Sequence, residues 1–167
     1  MSLTVRTITA DEHLAFVASR GSASFLQVPS WGQVKKEWRS ESIGWCDADG
    51  KIVGAGLVLY RQIPKVKRYL AYLPEGPVLA WEDVTDAASL RRLLDPMVAH
   101  LKSRKAFGVR MGPMVVTRRW SSETIKAAVK DGQATKLQAL TPDVVDPAGQ
   151  KVAELMRAAG WIPPSTT

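Results

Sequence analysis

A turn sequence between two apolar runs constrains the fold of this chain more than any other feature. Asp47-Ala-Asp-Gly50 separates the run Ile43 to Cys46 from the run Ile52 to Tyr60, and an Asp-Gly pair in such a position is a strong signal for a β-hairpin. A further apolar segment, Tyr69 to Leu73, ends at a Pro-Glu-Gly-Pro turn. The segments together predict an antiparallel meander of consecutive strands.

A strand and two helices are predicted before the meander. Val5 to Ile8 has the pattern of a first strand. Thr9 and Glu12 have the spacing of a capping box, in which each side chain accepts a hydrogen bond from the other residue's backbone amide. This pattern predicts a helix that runs to Arg20. A second, short helix is predicted over Trp31 to Trp38.

The segments after the meander predict further helices and strands. An apolar stripe at helical spacing, capped by Thr85, predicts a long helix that Pro96 should kink. The stripe consists of Leu90, Leu93, Leu94, Met97, Val98 and Leu101. The remaining predicted elements are a strand over Ala106 to Met111, a helix over Ser122 to Lys130, a helix from Asp146 and Pro147 to Gly160, and the start of a strand at Trp161 and Ile162.

The order of these elements matches the acyltransferase fold of the GNAT superfamily, in which helices flank a mixed sheet. The predicted fold class is therefore α/β (α+β), with a mixed, mainly antiparallel sheet that is truncated before its last strands. Superfamily members that use coenzyme A carry a [Gln/Arg]-x-x-Gly-x-[Gly/Ala] signature before a helix, whose backbone amides hold the diphosphate. This sequence lacks that signature, so no cofactor is predicted.

Charge and cysteine content narrow the possible partners and compartment. The formal net charge of +7 and the isoelectric point near 9.8 favour anionic partners such as RNA, phosphates or a lipid surface. The single cysteine, Cys46, cannot form an internal disulfide, and two histidines with one cysteine argue against a structural zinc site. Since no apolar run has the length of a signal peptide or a membrane span, a cytoplasmic protein with at most peripheral membrane contact is predicted.

Lys35 is the basic residue whose position is most suggestive of binding. On the predicted helix it lies next to Trp31 and Trp38, whereas Lys36 points to solvent. A lysine whose stem packs on tryptophan rings holds its ammonium in a fixed place, which suits an anion. The alternative is a snorkelling lysine without a ligand. The basic segment Arg61 to Arg68 is predicted as a loop between strands, a position that also suits a functional role.

Five segments, in this order along the chain, resemble the FemABX family of peptidoglycan-bridge aminoacyltransferases, with the closest likeness to actinobacterial members. These segments are Phe25-Leu-Gln27, Trp31-Gly-Gln-Val-Lys35 with Trp38, Tyr72-Leu-Pro-Glu-Gly-Pro-Val78, Val109-Arg-Met-Gly-Pro113 and Ala159-Gly-Trp161. Each segment alone is a weak signal. Their common order over nearly the whole chain makes the resemblance fairly specific.

The resemblance implies an activity and a set of substrate contacts. Family members take an amino acid from an aminoacyl-tRNA and attach it to the stem-peptide amine of a cell-wall precursor, either UDP-MurNAc-pentapeptide or lipid II. By this resemblance Lys35 contacts the precursor, and Trp38 belongs to the same motif. Tyr72 is expected at the wall of the cleft. Arg110 lies near the end of a strand, where a substrate contact and a structural ion pair are both open.

Family members contain two GNAT-like halves, and the resemblance implies that residues 1–167 are the first of them. The second half, with the remaining substrate contacts and the tRNA-binding surfaces, is then absent from this chain. A fragment of this kind is expected to be inactive by itself. The interrupted strand at Trp161 and Ile162 is expected to leave an unprotected sheet edge through which the chain could self-associate.

Two other functions are compatible with the same sequence. The chain could be a non-catalytic module that uses its basic surface to bind RNA or an anionic cell-wall precursor. A divergent acetyl-CoA N-acetyltransferase is disfavoured by the missing diphosphate signature. No catalytic residue is assigned, because His13 and His100 lie on predicted helices without a Ser-His-Asp set, and Glu75 is expected to be a solvated turn carboxylate.

Overall fold

A computed structural model describes residues 2–132 and 136–164, which divide into two compact units. The first unit extends to Ala80 and resumes over Ala88–Met114, and the second comprises Trp81–Ala87 and the residues from Val115 onward. In chain order the elements are β1 (Thr4–Thr7), α1 (Ala10–Ala18), α2 (Pro29–Val34), β2 (Arg39–Cys46), β3 (Ile52–Gln62), β4 (Tyr69–Leu73), α3 (Ala87–Ser103), β5 (Ala106–Met111), β6 (Arg118–Arg119), α4 (Ser122–Lys130), β7 (Val144–Val145) and α5 (Pro147–Ala158).

The first unit contains a five-stranded sheet in the order β1-β2-β3-β4-β5. Neighbouring strands are antiparallel except for β4 and β5, which are parallel. The tight turn of the β2–β3 hairpin has Gly50 at φ 78°, a conformation that glycine adopts without steric cost. Asp47 Oδ1 stabilises this turn by accepting hydrogen bonds from the backbone amides of Asp49 and Lys51. The predicted meander and the predicted mixed, mainly antiparallel sheet are confirmed.

Helices cover both faces of this sheet. Trp45 of β2 donates a hydrogen bond from its indole nitrogen to the Leu93 carbonyl of α3, at 2.7 Å. Ser42 lies three residues earlier, so its side chain points to the opposite face, where Ser42 Oγ and His13 Nδ1 of α1 are 2.8 Å apart. In α3, which contains Pro96 as predicted, the predicted stripe is buried except for the half-buried Val98.

The buried His13 should make the stability of the first unit depend on pH. Its ring is fully buried, and Nε2 has no hydrogen-bond partner among the described residues. Burial disfavours the imidazolium and lowers the pKa from 6.5 to about 4. In the unfolded chain His13 has its ordinary pKa of 6.5, so as the pH falls the unfolded state is protonated before the folded state. The contribution of neutral His13 to the free energy of unfolding is therefore present above pH 6.5. It is lost as the pH falls toward 4, at about 1.4 kcal/mol per pH unit.

We therefore expect the free energy of unfolding to fall by about 2 kcal/mol between pH 6.5 and pH 5, measured by urea titration. This window lies above the range in which carboxyl groups titrate. The matched control is His13→Gln, which retains a polar side chain that cannot be protonated. An equal loss of stability in wild type and H13Q would show that His13 is not the titrating group.

The helix predicted over Trp31 to Trp38 is shorter than expected. The prediction was wrong for residues 35–38, which are not helical. The helix ends at Val34, whose side chain is 63% exposed, and Lys35 leaves the helical conformation with ψ 57°. The chain must turn here to enter β2 at Arg39, and the Trp38 amide donates to the Lys35 carbonyl at 2.9 Å within that turn. Trp38 is therefore outside the helix, and a continuous apolar helix face does not form.

The strand predicted at Trp161 and Ile162 is also wrong. The amide of Trp161 donates to the Met156 carbonyl, and Gly160 at φ 87° donates to the Arg157 carbonyl. This pair of bonds is a Schellman motif, so Trp161 helps to end α5. Ile162 follows outside any strand and is 92% exposed.

The second unit contains a small sheet and two helices. The strands β6 and β7 pair antiparallel, and neither of them was among the predicted elements. Asp143 accepts from the amide of Ser121 at 2.6 Å, and Ser121 caps the start of α4. Asp146 caps α5 by accepting from the amide of Gly149. The predicted bounds of α4 and the predicted start of α5 are confirmed.

Candidate functional site

Three of the predicted site residues meet on one face of the sheet, together with a residue that was not predicted individually. The rings of Trp38 and Tyr72 have centroids 6.2 Å apart. The guanidinium carbon of Arg61 lies 5.7 Å from the Trp38 ring, and that of Arg110 lies 5.6 Å from the Tyr72 ring. We name Trp38, Arg61, Tyr72 and Arg110 the aromatic-arginine cluster.

Strand register brings this cluster together. Tyr72 of β4 lies opposite Leu59 of β3 and opposite Arg110 of β5. Arg61 follows Leu59 by two residues and therefore points to the same face of the sheet. Trp38 comes from the turn before β2. The cluster thus combines side chains from the end of one strand, two neighbouring strands and a turn.

The arginines of the cluster are exposed and have no carboxylate partner in the described part of the chain. The structure therefore does not place Arg110 in an ion pair, which was one of the alternatives for this residue. Both guanidinium groups lie over aromatic rings, a geometry that fixes their position while leaving the N–H groups open to a ligand. This combination suits phosphate or carboxylate oxygens, with the rings available to apolar or planar groups.

The backbone of Lys35 is bonded to that of Trp38, but the Lys35 side chain lies over a different ring. Its Nζ atom is 5.5 Å from the centroid of Trp31, and Trp31 packs edge-on against Phe25 at 5.5 Å. The residue is half-buried, whereas Lys36 is exposed. The hydrogen bond between the Lys35 carbonyl and the Trp38 amide links it to the cluster. The predicted contact of Lys35 with Trp31 is confirmed.

A buried glutamine supports the turn that follows Tyr72. Gln27 Nε2 donates to the Pro74 carbonyl at 2.5 Å, and Gln27 Oε1 accepts from the Leu57 amide at 2.9 Å. A Cβ atom on Gly76 would lie 2.2 Å from the Gln27 side chain, so only glycine fits there. Two of the segments that carry the family resemblance are thus in direct contact.

Glu75 lies in this same turn. It is exposed, as expected, but its carboxylate is not free, since it accepts a hydrogen bond from the Ser24 hydroxyl. That bond anchors the turn to the segment that precedes Gln27. The carboxylate is therefore occupied in a structural contact.

A buried carboxylate network on the opposite face of the sheet was not predicted. Glu41 accepts hydrogen bonds from Tyr60 at 2.6 Å and from Arg104 at 3.0 Å, and it lies 3.1 Å from His100 Nε2. Burial alone raises its pKa, but hydrogen bonds from His100, Thr7 and Tyr60 outweigh that effect and hold the pKa well below its usual range. His100 therefore has a structural role in this network.

Arg61 and Glu41 were missed for different reasons. Arg61 was identified only as part of a basic segment. Side chains alternate between the two faces along β3, and this alternation, which puts Arg61 on the same face as Leu59, was a possible signal for its position. Glu41 occurs in a stretch without an apolar pattern, and its partners lie far away in the sequence. In the described residues no group of histidine, cysteine or carboxylate side chains is arranged to bind a metal ion.

Comparisons with known proteins connect this chain to one family. The FemAB family model matches residues 8–143. A lipid II:glycine glycyltransferase of Staphylococcus haemolyticus is 34% identical over 110 residues, which is 65% of this chain and 25% of the relative. The enzyme of the same name from Staphylococcus aureus (strain bovine RF122 / ET3-1) is 33% identical over the same shares. This chain therefore spans about a quarter of the length of the curated relatives it matches.

A solved structure agrees with this result. The crystal structure of FemX superimposes with a TM-score of 0.55 and 27% sequence identity, covering 77% of this chain and 31% of that chain. The family model covers most of the sequence and includes the aromatic-arginine cluster, Lys35 and the glutamine-supported turn. On these matches, the chain belongs to the FemAB family.

Proposed function

We propose that this chain holds a peptidoglycan precursor while an amino acid is attached to the amine of its stem peptide. The support comes from the FemAB family match and from relatives named lipid II:glycine glycyltransferases. The observation that carries the proposal is the convergence of Trp38, Tyr72 and Arg110 from separate segments, with the Lys35 backbone bonded to that of Trp38. This arrangement offers cations fixed on aromatic rings to an anionic substrate.

In this proposal the basic side chains bind the precursor and take no part in proton transfer. A precursor carries phosphate and carboxylate groups, for which Arg61, Arg110 and Lys35 provide donors. The rings of Trp38 and Tyr72 provide the surface against which sugar or peptide packs. The precursor is UDP-linked or lipid-linked, and both forms present a diphosphate.

The reaction requires the protein mainly to position the two substrates. The amine nitrogen of the stem peptide attacks the ester carbonyl of an aminoacyl-tRNA, and the new C–N bond replaces the C–O bond to the tRNA ribose. The proton lost by the amine passes to the ribose oxygen that leaves. Since the ester is already activated, rate enhancement comes mainly from orientation and from stabilising the oxyanion.

We further propose that residues 1–167 form the first of two GNAT-like halves, that the donor is an aminoacyl-tRNA and that transfer takes place in the cytoplasm. The precursor then lies against this chain, and contacts to the tRNA come from the other half. In keeping with a substrate-holding role, this chain by itself is expected to bind precursor without catalysing transfer.

The test compares two adjacent lysines. In the full-length protein, Lys35→Ala should reduce transfer of a labelled amino acid from charged tRNA to the precursor by about 10- to 150-fold, equivalent to the 1.5–3 kcal/mol expected for a hydrogen bond to a charged group. Lys36→Ala removes the same charge from an exposed side chain and should leave transfer unchanged. Circular dichroism checks that both variants fold.

Equal transfer by wild type, K35A and K36A would remove Lys35 from the substrate site. A calorimetric titration of this chain with UDP-linked precursor separates the two parts of the proposal. Binding by wild type and its loss in K35A supports a precursor site on this half. If wild type shows no heat of binding, the site is not formed by this half alone and the proposal is wrong.

A further inference from the structure

Two basic turns meet at the end of the main sheet where β4 and β5 begin. One turn joins β3 to β4, and the other joins α3 to β5. The amide of Tyr69, the first residue of β4, donates to the Lys105 carbonyl at 3.2 Å, and the Lys105 amide donates to the Lys102 carbonyl at 2.9 Å. We give the name basic rim to the exposed basic residues of these turns and of the end of α3, which are Lys65, Lys67, Arg68, Lys102 and Lys105.

The charge of the basic rim is not compensated. Within the described residues, none of its side chains forms an ion pair. Neither 61–68 nor 102–107 contains an acidic residue, and Arg104, the other cation of the second turn, is already bonded to Glu41. Several like charges at one sheet end, without counter-charges, produce a positive potential that attracts an anionic surface.

Exposed apolar side chains occur within the same rim. Val66, between Lys65 and Lys67, is 48% exposed at the tip of its turn. Phe107 is 56% exposed, and its exposure has a structural cause. The pairing of β4 with β5 passes from Tyr69 opposite Ala106 to Leu70 opposite Gly108, so Phe107 occupies a bulge without a partner. A bulge redirects a side chain out of the regular sheet pattern.

We propose that the basic rim docks on the surface of a bilayer that contains anionic phospholipids, with Val66 and Phe107 entering the headgroup region. The combination of lysines and arginines with exposed aliphatic and aromatic side chains is characteristic of peripheral membrane contact. A nucleic-acid duplex would use the basic residues but would provide no apolar environment for Val66. Among the described residues, none of the helices has the length and apolar character needed to cross a membrane.

The docking surface adjoins the candidate substrate site. Arg61 is at the base of the first turn, and its guanidinium group lies over Trp38. A bilayer held at the basic rim would therefore lie close to the aromatic-arginine cluster. That consequence, which favours a lipid-linked precursor, rests on the proposed function, whereas the docking itself does not.

The experiment is co-sedimentation with vesicles that contain no precursor, so its failure is distinguishable from failure of the proposed function. Vesicles with about 30% phosphatidylglycerol in phosphatidylcholine are compared with pure phosphatidylcholine at about 0.1 M salt, where charges act over about 10 Å. Wild type should bind the anionic vesicles and not the neutral ones. Lys67→Glu with Arg68→Glu should weaken this binding by at least about 25-fold, since each basic residue contributes about fivefold.

The matched control is Arg91→Glu with Arg92→Glu, which reverses two adjacent exposed charges in α3, outside the rim. This control should bind nearly as wild type does. Val66→Ser with Phe107→Ser keeps the charge and should abolish the binding that persists at about 0.5 M salt. An equal loss in the α3 control, equal binding to neutral vesicles, or binding to duplex RNA without binding to vesicles would each overturn the proposal.

Discussion

Replacing Glu41 by alanine should destabilise the first unit by about 3–5 kcal/mol, because the largely buried Tyr60 and His100 side chains lose their hydrogen-bond partner. The Glu41 side chain is only 9% exposed. It accepts hydrogen bonds from Thr7 of β1, Tyr60 of β3 and Arg104, and it lies beside His100 of α3. Its loss therefore affects contacts that join both strands and the helix to β2. Urea unfolding at pH 7 measures the effect.

Two variants show whether this loss comes from the network. Glu41→Gln keeps the size of the side chain and part of its hydrogen bonding, so it should be destabilising by a smaller amount than Glu41→Ala. Glu37→Ala removes a carboxylate from an exposed position and should change stability by no more than about 0.5 kcal/mol. If Glu41→Ala lowers the free energy of unfolding by less than about 1 kcal/mol, the network does not stabilise the sheet.

Replacing Gly76 by alanine should cost a similar amount, about 3–5 kcal/mol, through a different mechanism. The new Cβ would overlap the side chain of Gln27, which is fully buried and cannot move aside without giving up its bonds to Pro74 and Leu57. Losing these bonds leaves buried backbone groups unsatisfied, and crowding adds a further penalty. Since the turn follows Tyr72, precursor binding should weaken as well.

The control for this change is Gly21→Ala. A Cβ atom at Gly21 has no neighbour within 4 Å, and its backbone has no positive φ that would strain an alanine. Thermal unfolding should show G21A close to wild type and G76A strongly destabilised. Equal melting temperatures for the two variants would mean that the turn can accommodate a side chain, and the proposed contact with Gln27 would not be a constraint.

Several elements were predictable because short-range interactions define them. The capping box at Thr9 and Glu12 forms as predicted, with both reciprocal hydrogen bonds present. The turn ending at Gly50 depends on a conformation that glycine favours, and the start of α4 depends on a side-chain cap at Ser121. Signals of this kind involve residues within a few positions of one another, so they can be recognised without knowledge of the remaining fold.

The errors occurred where longer-range structure overrides the local pattern. Apolar residues at Trp31, Val34 and Trp38 have helical spacing, yet the helix ends at Val34 because the chain must enter β2 at Arg39. Trp161 has the apolar character of a strand residue, but its amide completes the end of α5. In both places, propensity is a weak preference that neighbouring elements outweigh.

The meander, the buried stripe of α3 and, through the ordered motifs, the family could all be predicted from the order of the amino acids. Contacts between distant side chains could not be predicted in this way: Glu41 meets Arg104, and Trp38 and Tyr72 meet Arg61 and Arg110. These contacts depend on strand register. A shift of one residue in a strand would turn Tyr72 or Glu41 to the other face of the sheet, and that register is set by packing and pairing across the whole sheet, beyond any local pattern.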